Sequence, residues 1–278
     1  TNFFLDMFVS KPYIVSREAP EVVILGTSRA GASLRTDHPA WAGRRVYNFA
    51  LPGSTAVIQW RNFQHASATG ELEMAVVSLD FLMFNSCNPQ QLQPHFQEYL
   101  PRLRGGDSSY TQYPQSCLAD HLAELTGWST LLDSWSTIQA QSRFADGKEG
   151  GMHLLADGFW QTYNVGGARQ RRSFKQVEQR HMNSGWFPPP LDCFELRRPG
   201  SDSQFEYLRR LLEQAYQQDT HLVVYFSPFH ARFAEAMHAV GLWPLFEQLK
   251  RELLQVNEEL SAQYQRHDRK STRLNSSH

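Results

Sequence analysis

Four short, nearly continuous apolar segments divide this chain and restrict the folds open to it. They are EVVILG (21–26), RRVYNFALPG (44–53), EMAVVSLDF (73–81) and THLVVYFSPF (220–229). Each is rich in β-branched, leucine and aromatic residues and is bounded by glycine, proline or polar residues, as strands are. Because apolar and polar residues do not alternate, both faces of these strands are expected to be covered, as in a parallel sheet.

Helical periodicity lies between and after these strands. The helical segments span 54–70, 201–218 and 230–264, the last with a break near 241–244. In the second of them, Ser203 and Glu206 form a capping box in front of an apolar stripe. Strands that alternate with helices predict an α/β fold, specifically a three-layer, doubly wound parallel sheet of flavodoxin-like topology.

Residues 86–200 do not follow this alternation. They contain one predicted helix, 118–141, among long loops rich in glycine, serine and proline. Stretches of that kind are typical of lids and inserted subdomains, so we expect a largely irregular and helical insertion between the third and fourth strands. Its aromatic stretch SGWFPPP (184–190) is either a lid over a site or a buried loop. The α/β domain then comprises residues 21–85 and 201–267.

Composition sets further bounds. The chain has 278 residues, is 41% hydrophobic and carries a formal net charge of −1, which allows a full core and argues against disorder and against a nucleic-acid partner. Its three cysteines have no metal-binding spacing, so we expect neither a metal nor another cofactor. Their small, odd number does not indicate whether the protein resides in an oxidising or a reducing compartment.

Both ends of the chain look artificial. The final eleven residues, DRKSTRLNSSH (268–278), match the translation of a sequencing-library adapter, and we set them aside as an artefactual tail. The chain begins at Thr1 rather than at a methionine, so we expect residues 1–20 to be a lead-in whose upstream part is missing. That missing part has room for a membrane anchor. We likewise expect the domain to be truncated at its C-terminus.

Ser28 follows the first predicted strand, within the small-residue stretch GTSRAGAS (26–33). In open α/β sheets ligands bind beyond the carboxyl ends of the strands, where backbone N–H groups can face an oxyanion. A nucleophilic serine is expected at such a place. Alternatively, the stretch is only a strand-to-helix turn capped by Ser28. It matches neither the G-x-S-x-G elbow nor a P-loop.

The ends of the next two strands add Gly53 in NFALPGST, and Asp80 and Asn85 in SLDFLMFN. With these blocks the chain resembles the SGNH (GDSL-like) hydrolase superfamily, and bacterial envelope-associated proteins of that type, over most of residues 18–264. The resemblance implies that Ser28 is the nucleophile and that the N–H groups of Ser28 and Gly53 form an oxyanion hole. The superfamily has a side-chain amide where this chain has Asp80. Either Asn85 supplies that amide, or Asp80 has another task, such as pairing with Arg29 or capping the strand end.

The proton acceptor is not evident in this chain. The resemblance implies a histidine in an Asp-x-x-His block after a fifth strand, which we expect to lie beyond residue 267, so that the chain as it stands is inactive. His230, just past the fourth strand, is a candidate for substrate binding, for the base, or for a helix cap. Arg29 is a candidate for holding an anionic substrate group or for a structural ion pair. The other histidines considered, His181 among them, are expected to be surface or satisfied core residues.

These residues predict a serine ester hydrolase that forms an acyl-serine intermediate on an O-acylated small molecule or glycan. A polysaccharide O-acyltransferase is one alternative, because a sugar hydroxyl can replace water as acceptor. A non-catalytic glycan-binding or scaffold protein is the other, and Asp80 favours it. The resemblance implies a location in the cell envelope or periplasm.

Overall fold

The structure is a computed structural model. It describes residues 3–87, 94–105, 115–116, 118–120, 122, 152–162, 175–187, 192–198 and 203–264. The tail 268–278 and most of the predicted helix 118–141 lie outside these residues.

The described residues contain six strands. They are β1 (Val22–Leu25), β2 (Val46–Asn48), β3 (Met74–Leu79), β4 (Met152–Leu154), β5 (Trp160–Thr162) and β6 (His221–Phe226). The four strands predicted from the apolar segments form one sheet in the order β2-β1-β3-β6, and all of its pairings are parallel. The predicted α/β class with a parallel sheet is therefore confirmed. Each strand is shorter than its apolar segment, because the ends of the segments continue into turns.

Seven α-helices have both ends within the described part of the chain, and residues 175–180 are helical as well. The seven are α1 (Phe3–Glu18), α2 (Ser28–Ser33), α3 (Ala56–Ser67), α4 (Pro94–Tyr99), α5 (Gln204–Gln218), α6 (Ala231–Ala239) and α7 (Trp243–Gln263). The predicted cap of α5 is confirmed, since the Ser203 hydroxyl accepts a 3.2 Å hydrogen bond from the Glu206 N–H. The predicted break between α6 and α7 is also confirmed, at Gly241, whose φ is +78°. None of these helices combines the length and apolarity needed to cross a bilayer.

Helices pack on both faces of the sheet. Alternate residues of β3, Ala75, Val77 and Leu79, belong to the main core together with side chains of α1, α3, α5 and α7. The residue between them, Val76, belongs to a second cluster with Ala30 of α2. The strand is therefore buried on both sides, which explains its continuous apolar sequence.

The predicted lead-in, residues 1–20, belongs to this core. Its helix α1 buries Met7 and Val15, and it also buries Lys11 completely. The Lys11 Nζ donates hydrogen bonds to the carbonyl oxygens of Asn48 (2.7 Å), Ala50 (2.8 Å) and Gly158 (3.0 Å). Three acceptors satisfy the three donors of an ammonium group, so α1 is fastened to the end of β2 and to the β4–β5 hairpin.

The insertion contains regular structure that the sequence did not predict. Its β4–β5 hairpin is antiparallel and attaches to β2 through the Asn48 N–H, which donates to the Asp157 carbonyl at 2.8 Å. A π-helical segment, His181–Trp186, lies further along. A disulfide joins Cys87 to Cys193, so the two ends of the insertion are covalently linked.

Candidate functional site

The sheet order creates a crevice between β1 and β3. From β1 the chain runs to β2 on one side and later returns to β3 on the other side. Connections that diverge in this way leave an opening beyond the carboxyl ends of the two strands, where ligands of α/β proteins bind. Ser28 follows β1 after two residues, and Asp80 follows β3 directly. The two predicted site residues therefore flank one crevice.

Ser28 is the first residue of α2 and is exposed to solvent. Thr27 caps the helix, because its hydroxyl oxygen accepts a hydrogen bond from the Arg29 N–H. Within the described part of the chain, neither the hydroxyl nor the N–H of Ser28 makes a hydrogen bond to another protein group. Capping is thus done by Thr27, and the alternative in which Ser28 is the cap is wrong.

Packing explains the small residues around Ser28. A Cβ atom on Gly26 would lie 2.7 Å from the Ala30 Cβ and 2.8 Å from the Ser78 Cβ. A Cβ atom on Gly31 would lie 2.5 Å from the Trp160 ring. These glycines let β1, α2 and the hairpin approach closely, so the small-residue pattern by itself is structural. The exposed hydroxyl of Ser28 has no such packing role.

Gly53 lies past the end of β2, two residues after Leu51, whose N–H donates to the Gly26 carbonyl oxygen at 3.0 Å. Gly53 is exposed, its φ is +65°, and no atom lies within 4 Å of the place where a Cβ would be. The backbone conformation, rather than lack of space, favours glycine here. No hydrogen bond from its N–H is found among the described residues. Its N–H, like that of Ser28, is available to an incoming oxygen.

Asp80 pairs with both residues that flank Ser28. Its Oδ2 accepts a 2.5 Å hydrogen bond from the Thr27 hydroxyl, and its Oδ1 lies 2.8 Å from the Arg29 Nη1. The second contact is a close ion pair in which the N–H is poorly aligned with the oxygen. The Arg29 guanidinium also lies over the Phe229 ring, 5.4 Å from its centre. Of the tasks considered for Asp80, pairing with Arg29 is the one present.

Asn85 does not curl back toward Ser28. Its amide nitrogen donates to the carbonyl oxygens of Gly185 (3.3 Å), Trp186 (3.2 Å) and Cys193 (3.4 Å). Its Oδ1 accepts the Cys87 N–H at 3.1 Å. The side chain is fully buried in these contacts, so the prediction that it supplies the missing oxyanion donor is wrong. Asn85 instead fastens the insertion to the end of β3.

His230 occupies the cap position of α6. Its Nδ1 accepts a 3.3 Å hydrogen bond from the Arg232 N–H, and the side chain is exposed. A neutral imidazole that accepts at Nδ1 carries its proton on Nε2 and has no second acceptor to offer a serine. The helix-cap alternative is therefore present, and the geometry disfavours His230 as the base.

His181, which sequence analysis assigned no role, lies near the pair formed by Arg29 and Asp80. Burial lowers the pKa of His181, the Arg29 charge lowers it further, and the Asp80 charge opposes them. Its ring packs edge to face on Phe233, with 5.3 Å between ring centres. No local spacing marks this histidine, because it arrives from the insertion, about 150 residues after Ser28, through tertiary packing.

The described residues include one group of potential metal ligands: Cys87, Cys193 and Glu195, whose ligand atoms lie within 4.8 Å of one another. Both sulfur atoms are consumed in the disulfide, so the group offers no thiolate.

No family model matches this chain, and neither a curated protein nor a solved structure shows significant similarity to it.

Proposed function

We propose that this chain is a serine ester hydrolase of the SGNH type, with a doubly wound domain, acting on an O-acylated small molecule or glycan. One observation carries the proposal. The exposed Ser28 hydroxyl lies beyond the carboxyl end of β1, the strand next to β3, and among the described residues the backbone N–H groups of Ser28 and Gly53 have no hydrogen-bond partner.

In the proposed reaction, the Ser28 Oγ attacks the carbonyl carbon of the ester. The carbonyl oxygen becomes an oxyanion, which the N–H groups of Ser28 and Gly53 stabilise. Removing one such donor typically costs about 3 kcal/mol of transition-state stabilisation. The alcohol then leaves with a proton, and water releases the acyl group from Ser28 as a carboxylic acid. Neither a metal nor an organic cofactor is needed for these steps.

Asp80 has a positioning role in this proposal. Its carboxylate balances the charge of Arg29 and holds the turn through Thr27. An ionised carboxylate would repel an oxyanion, but this one is already engaged by two donors on either side of Ser28. The oxyanion hole then has two backbone donors and lacks the third, side-chain donor of the superfamily.

The proposed location is the cell envelope or periplasm. The Cys87–Cys193 disulfide supports it, because disulfides persist in oxidising compartments such as the bacterial periplasm. Mass determination of the protein isolated under alkylating conditions, without reductant, checks whether the bond is present in cells.

The same geometry favours one second candidate, a glycan-binding or scaffold protein without catalysis. The observation behind it is Asp80, which stands where an amide donor is expected and leaves the crevice with an ion pair. Such a protein would bind its ligand equally well after Ser28→Ala and would not react at Ser28.

A fluorophosphonate probe separates these candidates, since it reacts covalently with activated serines. We expect the protein to be labelled, the label to be lost in Ser28→Ala, and Ser33→Ala to label like the wild type. Ser33 is the matched control, because it is exposed and lies on the same helix. Labelling that persists in Ser28→Ala would contradict the proposal. If the probe labels Ser28, protein without the probe is then given an O-acylated sugar: free acid as product indicates hydrolysis, and a newly acylated sugar indicates transfer.

A further inference from the structure

The proposed reaction needs a group that takes the proton of the Ser28 hydroxyl, because serine is a weak nucleophile at neutral pH. Five histidines besides His181 have described side chains. Two of them are exposed: His38 caps a short helical turn by accepting the Ala40 N–H, and His238 lies in the last turn of α6.

The remaining three are also poorly suited. His65 uses both ring nitrogens in hydrogen bonds within the core. His221 lies at the start of β6, at the opposite edge of the sheet from Ser28, and His230 caps α6. His181 differs from them, because its segment is held at the carboxyl edge of the sheet and the charges of Arg29 and Asp80 act on its ring.

We propose that His181 is the general base of this site, in place of the histidine expected beyond residue 267, so that this chain itself is active. The inference rests on the proposed acyl-serine function. The Ser28 O–H bond breaks as the Oγ–carbon bond forms, and the proton moves to the imidazole. His181 then gives the proton to the leaving alcohol oxygen as the ester C–O bond breaks. In the second half, it takes a proton from the attacking water and returns it to the Ser28 Oγ.

The segment that carries His181 is fastened to the domain on both sides of this residue. Before it, Glu178 pairs with Arg232 at the start of α6, with 3.3 Å between nitrogen and oxygen. After it, the carbonyl oxygens of Gly185 and Trp186 accept from the Asn85 amide. These contacts join the π-helical segment to residues that follow β3 and β6. The segment is thereby held at the carboxyl edge of the sheet, where Ser28 also lies.

The surroundings of the imidazole restrict its position. Phe233 contacts the ring edge to face, and the Trp186 ring packs on the same phenylalanine with 5.6 Å between centres. A Cβ atom on Gly185 would lie 3.2 Å from the His181 Nδ1. The absence of a side chain at Gly185 therefore leaves room for the His181 ring beside the Gly185 backbone. A ring packed in this way keeps its orientation between turnovers.

The charges around His181 suit a base that is neutral at rest. Burial together with Arg29 and Arg180 lowers its pKa, which keeps it unprotonated at pH 7. Asp80 opposes that shift, and it would stabilise the imidazolium that forms during the reaction. The other nearby charges, Glu178 and Arg232, pair with each other. Activity is thus expected to rise with pH through an apparent pKa below the usual histidine value and to be complete near neutrality.

The test measures the rate of fluorophosphonate labelling at Ser28 in the wild type, His181→Ala and His238→Ala, from pH 5 to pH 9, with and without added imidazole. His238 is the matched control, since it is exposed and lies on α6, which packs against the His181 segment. Loss of a general base is expected to slow labelling roughly 100-fold or more. Added imidazole should restore part of the rate in His181→Ala, and His238→Ala should label like the wild type.

The outcomes separate this inference from the proposed function. If the probe labels Ser28 at equal rates in the wild type and in His181→Ala, the assignment of His181 as the base is overturned. The proposed serine hydrolase function is unaffected by that result. Both conclusions also hold if the wild type labels only when imidazole is added, because the base then comes from elsewhere. A protein that does not label even with imidazole overturns both. His181→Gln, which retains a side chain of similar length, repeats the comparison if the alanine variant unfolds.

Discussion

The guanidinium of Arg29 lies 2.8 Å from the carboxylate of Asp80, which ties the first turn of α2 to the end of β3. Both side chains are partly screened from water, with 31% and 13% of their surfaces exposed. The pair therefore joins the two segments that flank the crevice and fixes the side chain of the residue directly after Ser28.

Asp80→Asn should test the contribution of this ion pair, since the variant keeps the shape of the side chain and removes its charge. We expect the free energy of unfolding to fall by about 1 kcal/mol, the upper end for a partly exposed ion pair. Asp37→Asn is the control, because the Arg35–Asp37 pair is 65% and 61% exposed and should contribute less. Urea denaturation of the two variants gives the comparison. Equal losses would mean that the crevice pair adds nothing beyond a surface pair.

His65 should make the protein less stable in mild acid. Burial lowers its pKa to about 4, and its Nδ1 accepts the Arg104 N–H at 2.7 Å, so protonation would break that bond. The unfolded chain, with a histidine pKa near 6.5, binds more protons between these values, so stability present above about pH 6.5 is lost as the pH falls toward 4. The full effect is about 3 kcal/mol. Urea denaturation at several pH values should show this slope, and His65→Gln should flatten it. An unchanged slope in that variant would assign the effect to other groups.

Lys11→Met should be strongly destabilising. Methionine fits the volume but leaves three buried carbonyl oxygens, of Asn48, Ala50 and Gly158, without their shared donor. We expect a loss of about 3 kcal/mol or more, since each unpaired buried group costs about 1–3 kcal/mol. Lys250→Met, which removes an ion pair with Glu247 on the surface of α7, should cost under about 1 kcal/mol. Thermal and urea unfolding give the loss of stability in each variant. Similar losses for Lys11→Met and Lys250→Met would contradict the role of Lys11 as the shared donor to the three buried carbonyl oxygens.

Gly158 and Gly70 form a natural control pair, because their φ angles are +81° and +84°. At Gly158 an added Cβ would lie 2.1 Å from the Asn48 carbonyl oxygen, whereas nothing lies within 4 Å at Gly70. Gly70→Ala should cost about 1 kcal/mol from backbone strain alone. Gly158→Ala should cost clearly more, because the hairpin must move away from β2. Comparable melting temperatures for the two variants would show that the hairpin is free to shift.

The strands were predictable because their information is local. Each of the four segments is nearly continuously apolar where β1, β2, β3 and β6 occur, with Asn48, Ser78 and His221 as the polar exceptions, and the capping box of α5 involves residues only three apart. The placement of Ser28 after a strand also follows from adjacent residues. Such features depend on periodicity and local hydrogen bonds, which a single sequence displays.

What could not be predicted depends on distant partners. Lys11 is buried because acceptors at positions 48, 50 and 158 surround it. The helix α1, which contains Pro12, lies in the segment expected to be only a lead-in. Cys87 pairs across 106 residues, and Asn85 binds carbonyls about 100 residues away. The segment of His181 is likewise held at the carboxyl edge of the sheet through long-range contacts. No spacing rule connects residues so far apart.

The covalent link between Cys87 and Cys193 also closes the insertion into a ring, and the rest of the domain is attached to that ring at the two cysteines. A protease that cuts the peptide anywhere between these two residues leaves one molecule of unchanged mass apart from an added water. The two halves separate on a denaturing gel only after reduction. A nicked and an intact protein are therefore indistinguishable by size until the thiols are freed.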